Sequence, residues 1–260
     1  MKDKLKIELY TVGWNEEFQL PFAIEYWKRF ISDETDFKVI YYDNMSTDKS
    51  LEILSQYDWI EVRQFDSKNE MNEDFQTIIR NNCWKGSDAD WVMMVDVDEV
   101  FYCNDIISEL KKFKKQGAAV IACKWYALCG ESVPEHKDGV LLHQQIGRGY
   151  MQYINHREGQ KYFGKLQLFN PKKVTTMNYS PGMHISFPDA PITVSYNITQ
   201  IHFNKGFGAD YVVNRNKEMW ERLNKAQKEM GYCYQYGFSE EKTRKEYEEN
   251  LKKSVDISNI

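Results

Sequence analysis

Trp91-Val92-Met93-Met94-Val95-Asp96-Val97-Asp98-Glu99-Val100 decides the fold. An apolar run rich in Val and Met, preceded by the polar Gly86-Ser87-Asp88-Ala89-Asp90, reads as a strand buried on both faces. The acidic residues then fall where that strand leaves its sheet, and in open α/β sheets the carboxyl edge is where ligands bind. Asp96 and Asp98, one residue apart in a partly buried edge, repel each other unless a cation or a proton lies between them. Hard carboxylate oxygens suit Mg²⁺ or Mn²⁺. The competing reading is a strand end followed by an acidic turn or a helix start, because Asp and Glu favour the first turn of a helix.

The flanking sequence places that strand in a series. Residues 5–13 alternate well enough for a first strand, ending in Trp14-Asn15-Glu16-Glu17, and residues 18–30 carry Phe22, Ile24, Tyr26, Trp27 and Phe30 at helical spacing. Residues 37–42 form a second strand closing on Asp43-Asn44-Met45-Ser46-Thr47-Asp48. Ser46 or Thr47 is then expected to cap a helix with Leu51, Ile53, Leu54 and Tyr57 on its apolar face. Residues 59–65 read as a third strand, and 72–84 as a helix carrying Phe75, Ile78, Ile79 and Cys83. Strands alternating with helices of about 10–15 residues mean βαβ units and a parallel sheet. Beyond the acidic cluster, 105–113 reads as a helix, 118–125, 162–169 and 192–203 as strands, and about 209–230 and 238–253 as solvated helices packed on the domain. Residues 128–164, rich in Gly and holding His136, His143 and His156, break the pattern, and a long irregular segment in a compact domain is usually functional or disordered.

Composition narrows the function classes. The chain has 34 Lys plus Arg against 39 Asp plus Glu, a net charge of -5, which argues against broad nucleic-acid binding. The 5 cysteines are odd in number and form no Cys-x-x-Cys, so neither a disulfide framework nor a zinc site is expected, and a cytoplasmic setting is. No apolar segment approaches the ~18 residues of a membrane span, which leaves at most peripheral contact with the inner face of the cytoplasmic membrane.

Asn15-Glu16, Asp43-Asn44 and Asp96-Val97-Asp98 close successive strands of one sheet, as a nucleotide site would require: amides and carboxylates for base and ribose, a metal for the diphosphate. With Trp14-Asn15-Glu16-Glu17, Asp43-Asn44-Met45-Ser46-Thr47-Asp48, Arg80-Asn81 and Asp96-Val97-Asp98-Glu99, the chain resembles glycosyltransferase family 2, with the GT-A fold, over residues 5–205. It looks closest to the bacterial branch with a Trp-x-x-Phe-Gly-like strand end, here Trp125-Tyr126-Ala127-Leu128-Cys129-Gly130, and a late His.

The resemblance implies an α/β GT-A (Rossmann-like) fold with a mixed, mainly parallel sheet. The expected division is a domain over 1–205, with a nucleotide-sugar half to about 125 and an acceptor half from 126, and a helical extension over 206–260. It implies inverting transfer of a sugar from a nucleotide sugar, UDP favoured, to a glycan or glycolipid acceptor in bacterial surface polysaccharide or lipooligosaccharide assembly, with Mn²⁺ or Mg²⁺. Carried over, Asp43 and Asn44 lie at the base, Asn15 and Glu16 near the nucleoside, Arg80 at the diphosphate or donor sugar, and Asp96 near the ribose or the metal. Asp98 is the direct metal ligand and His202 a third ligand or a diphosphate contact.

The family's Glu-Asp pair that supplies the base is missing: the corresponding region reads Tyr179-Ser180-Pro181-Gly182-Met183-His184-Ile185-Ser186. His184, Glu131 and Asp138 are the candidates, with Asp189 behind them. Tyr150, Tyr153 and Trp125, in or beside the 128–164 stretch, are available to stack on an acceptor sugar. Three rivals remain: a haloacid-dehalogenase-like phosphatase using Asp96 as nucleophile, a nucleotidyltransferase, and a sugar-binding protein that kept the fold and lost activity. The first lacks clustered downstream aspartates, and the second a glycine-rich loop after the first strand.

Overall fold

The computed structural model describes residues 3–157, 160–162 and 164–260. Its strands are β1 (Leu5–Gly13), β2 (Thr35–Asp43), β3 (Ile60–Gln64), β4 (Trp91–Asp96), β5 (Glu99–Tyr102), β6 (Val120–Cys129), β7 (Arg148–Gln152), β8 (Ile154–Arg157), β9 (Gln160–Tyr162), β10 (Leu168–Phe169), β11 (Ile192–Lys205) and β12 (Val255–Asp256). The helices are α1 (Leu20–Trp27), α2 (Ser50–Leu54), α3 (Glu73–Asn82), α4 (Ile106–Gln116), α5 (Leu142–Ile146), α6 (Ala209–Arg222), α7 (Lys225–Glu229) and α8 (Glu240–Lys253).

The main sheet runs β3-β2-β1-β4-β10-β6-β7-β12. Its first four strands are parallel, β10 is antiparallel to both neighbours, and β11 lies parallel to β6. This is the expected mixed, mainly parallel α/β architecture. Residues Trp91 to Val95 are all buried, as a strand covered on both faces requires. Register puts Gly13 opposite Asp43 and Val12 opposite Asp96, so β1, β2 and β4 end side by side. Gly13 is fixed by close approach: a Cβ there would run into the Tyr41 hydroxyl.

After Asp96 the chain makes a two-residue turn and re-enters β structure as β5, which pairs with β11 so that Glu99 faces His202. The alternative of a helix starting at the acidic cluster is therefore excluded.

Several local expectations are corrected. Ser46 and Thr47 cap nothing: α2 begins at Ser50, whose N–H donates to Asp48 Oδ1, while Ser46 and Thr47 bind the loop after β1. On α3, capped by Asn72, the buried residues are Glu73 and Arg80, whereas Phe75 and Ile78 face outward. The apolar stripe is not its core face, because the inward face is taken up by an ion-pair chain. The 162–169 strand shrinks to Leu168–Phe169. Within 128–164 lie α5, β7, and the β8–β9 hairpin, so the stretch is not structureless.

The helical pattern over 209–230 breaks at Leu223-Asn224, where backbone bonds run from Met71 N–H to Arg222 O and from Asn224 N–H to Met71 O. Asn224 then caps α7. The extension also joins the sheet, with Val255 of β12 opposite Gly149 of β7. Among the described residues all five cysteines are free, and no helix is long and apolar enough to cross a membrane.

Candidate active site

A cavity of about 710 Å³ opens over the ends of β1 and β4. Its floor carries a chain of alternating charges. Arg80 Nη2 lies 2.6 Å from Asp96 Oδ1 and its Nη1 3.4 Å from Glu73 Oε2. Lys165 Nζ lies 3.4 Å from Asp96 Oδ2 and 2.7 Å from Glu99 Oε1. Gln167 donates to Glu99 Oε2 at 2.6 Å and accepts from Gln200. Burial alone would raise the Asp96 carboxyl, but Arg80, then Lys165 and His202, outweigh it and hold it down at about 2. Both Asp96 oxygens are committed to cations, so Asp96 is a poor direct metal ligand as it stands.

Asp98 sits in the turn beyond. Among the described residues only its Oδ2 is engaged by a side chain, His202 Nε2 at 3.1 Å, and its backbone carbonyl accepts from Phe203 N–H. Burial disfavours a charged His202, yet Asp98 outweighs it and raises the imidazole pKa. His202 stacks on Trp125 with ring centroids 5.8 Å apart and planes 14° from parallel. The four carboxylates of Glu73, Asp96, Asp98 and Glu99 face two permanent cations, Arg80 and Lys165, leaving two negative charges when His202 is neutral. Asp98 and His202 are the residues whose chemistry could hold a divalent ion against that balance.

The loops after β1 and β2 brace each other. Asn15, with φ 51, receives the Thr47 N–H on its side-chain oxygen and donates its own N–H to Ser46 Oγ. Asn15 is thus a structural clasp and does not line the cavity. Asp43 is fully buried behind the wall: Oδ2 accepts from Ser46 N–H at 3.1 Å and Gln64 at 3.4 Å, and Oδ1 finds no partner among the described residues. Asn44 does reach the cavity, its side-chain oxygen held by Ser67. Glu16 lines the cavity with Arg215 of α6 at 2.6 Å, but burial dominates and lifts its carboxyl to about 7.

The sequence-derived base candidates separate. His184 lines the cavity near Trp125, and desolvation, then Lys165 and His202, push its imidazole below the usual range. Glu131 and Asp138 are exposed and lie outside the cavity. Asp189 holds Thr175 and Thr176 on the surface. These three stand away from the cavity, and a base must reach the reacting hydroxyl. Asp138 instead joins Glu25 and His136, whose ligand atoms all lie within 4.8 Å of one another, but Lys28 already sits 2.6 Å from Glu25.

Of the proposed sugar-stacking residues, Trp125 lines the cavity, and Tyr150 and Tyr153 do not. The His156 side chain and Gly159 lie outside the described residues. In their place the extension supplies Tyr211, Tyr232, Tyr234 and Tyr236.

A sequence model of the family described as glycosyl transferase family 2 matches residues 14–183. The chain belongs to glycosyl transferase family 2. As a member it is a nucleotide-sugar glycosyltransferase, and the phosphatase and nucleotidyltransferase readings fall. No curated protein matches the chain. Among solved structures it is similar to S. aureus TarS 1–349, at 13% identity and TM-score 0.49, covering 86% of this chain and 68% of that one. A longer TarS structure gives 11% and 0.47, covering 82% and 40%. TarS 1–349 in complex with UDP-GlcNAc gives 12% and 0.47, covering 86% and 69%.

Within this family 2 chain, sequence reasoning missed Lys165, Glu73, Gln167 and Arg215. Glu99 was quoted only as part of the acidic cluster, yet with no exposed surface it anchors Lys165. Arg215 lies 199 residues from Glu16, in a helix whose balanced charges resemble any solvated surface.

Proposed function

We propose that this protein is an inverting, metal-dependent glycosyltransferase that moves a sugar from a UDP-sugar to a hydroxyl of a glycan or glycolipid acceptor, in bacterial surface polysaccharide or lipooligosaccharide assembly at the cytoplasmic side of the membrane. The observation that carries the reading is the floor of the cavity: Asp98 with an uncommitted oxygen beside His202, next to Arg80 and Lys165. Asp98 and His202 would hold Mg²⁺ or Mn²⁺, which supplies charge neutralisation for the departing diphosphate. Asp96 aims Arg80 and Lys165 across the floor and keeps their charge ordered. Asn44 takes the base side with Asp43 buried behind it holding the Ser46 turn, and Glu16 lies toward the nucleoside. His184, exposed at the cavity wall, is the group placed to take the acceptor hydroxyl's proton on Nε2 or Nδ1.

The test is thermal shift with UDP, GDP and CDP, each with and without Mn²⁺, on the wild type and Asp98→Ala. Stabilisation of the wild type by a nucleoside diphosphate plus metal, lost in Asp98→Ala, is the expected outcome; ligand at 100 times its dissociation constant is worth about 2.7 kcal/mol. No response to any nucleotide in the wild type sinks the reading, and a full response in Asp98→Ala makes the acidic turn structural.

A further inference from the structure

Two flat side chains from opposite ends of the chain meet in the cavity. Arg222, the last residue of α6, lies on Trp14 with its guanidinium carbon 3.1 Å from the ring centroid. Its Nε donates to Asn69 O at 3.2 Å. The backbone around it is pinned as well, since Arg222 O accepts from Met71 N–H and Asn224 N–H bonds back to Met71 O. The guanidinium is therefore held as a fixed plate. The indole covers one face, and Arg222 is half-buried and lines the cavity, so the other face is the one turned toward it.

The loop that carries Asn69 sets where this plate stands. Ser67 donates both its N–H and its hydroxyl to Asn44 Oδ1, so one short loop, residues 67–71, holds Asn44 after β2 and Arg222 at the end of α6. Trp14 directly follows β1, and Trp14, Asn44, Met71 and Arg222 all line the cavity. That is the base side of the cavity in the reading above. Arg222 reaches it from outside the segment that matches the family, 14–183.

A nucleobase is a flat, polarisable ring, and it stacks on arginine guanidinium planes as it does on aromatic side chains. That contact uses the face of the plate and needs no free N–H. Arg215, on the same helix, has its guanidinium taken by Glu16 and Glu218.

We propose that the Arg222 guanidinium, backed by the Trp14 indole, is the plate on which the donor's nucleobase stacks, so that the C-terminal extension takes part in choosing the donor. This rests on the nucleotide-sugar reading above.

The experiment measures dissociation constants by calorimetry with Mg²⁺ present, in wild type, Arg222→Gln and Arg222→Lys. Three ligands carry the base: the nucleoside diphosphate that stabilises the wild type best, its monophosphate and its nucleoside. The fourth, inorganic pyrophosphate, lacks it and is read by its displacement of the diphosphate. The expected result in both variants is a loss of about 5- to 100-fold for all three base-carrying ligands, the range of one base stacked on a side chain, with pyrophosphate affinity unchanged. Lys keeps the charge and loses the plane, so it should not rescue. Recovery in Arg222→Lys, an equal loss for pyrophosphate, a loss confined to the diphosphate, or no loss at all overturns the proposal. Failure of the wild type to bind any nucleotide overturns the functional reading instead, and this proposal with it.

Discussion

Removing Arg80 tests the charge chain on the cavity floor. Arg80 is 4% exposed and bridges Asp96 and Glu73. In Arg80→Met Glu73 stays buried with little beyond the Gly182 N–H, and the half-buried Asp96 keeps Lys165 at 3.4 Å. The fall of Asp96 from its ordinary 3.8 to about 2 is worth on the order of 2 kcal/mol, with Arg80 the largest of the cations responsible. Adding the stranded Glu73 brings the deficit at pH 7 into the range of about 3–5 kcal/mol found when one partner of a buried pair is removed. That is a melting temperature lower by roughly 10 °C in a chain of this size.

The sign with pH is distinctive. Asp96 is depressed in the folded state, so its contribution is present above its unfolded pKa and lost only as pH falls through about 2. Without Arg80 the Asp96 carboxyl binds its proton at higher pH and then needs no cation. Urea denaturation at pH 7 and pH 5 should therefore show a deficit at least about 1 kcal/mol smaller at pH 5. An equal deficit at both values, or one under about 1 kcal/mol at pH 7, would refute the reasoning.

Two further predictions concern protons. Glu16 is raised in the folded state to about 7 from 4.5, so its stability contribution is full below pH 4.5 and lost as pH rises through 7. Glu16→Gln should therefore gain on the wild type by up to about 3 kcal/mol between pH 5 and pH 8, and parallel denaturation midpoints across that range would count against it. His184→Gln should lower kcat about 10²- to 10⁴-fold with nucleotide affinity intact, measured by nucleotide release with an acceptor; unchanged kcat would pass the base to another group.

The fold was legible because its signals are local. Alternation in β1, an apolar run in β4 and polar strand ends in between all act within a few residues. The acidic turn was legible for the same reason. Lys165 was not, because Gly164-Lys165-Leu166-Gln167 carries no spacing that distinguishes a buried ammonium from a surface one. Its role exists only because Glu99, 66 residues earlier by number, is buried beside it. Helix α3 misled in the opposite way: Phe75 and Ile78 make an apolar stripe that periodicity assigns to the core, yet Glu73 and Arg80 take the inner face. Periodicity measures amphipathicity, and tertiary ion pairing overrode it. Glu131 and Asp138 stand outside the cavity, and which loops face one cavity is a tertiary fact that local sequence does not carry.

The backbone bonds between Met71 and residues 222–224, with the pairing of β12 on β7, bear on the order of assembly. One cavity wall comes from the first quarter of the chain and the facing wall from its last fifth. Closing so long a loop is among the slowest contacts a chain makes. A nascent chain emerging from the ribosome can complete its parallel half-sheet and its acidic turn while the pocket is still open on one side. Nucleotide binding is then a late acquisition of folding, and the ligand itself becomes the clamp that joins the two ends of the polypeptide.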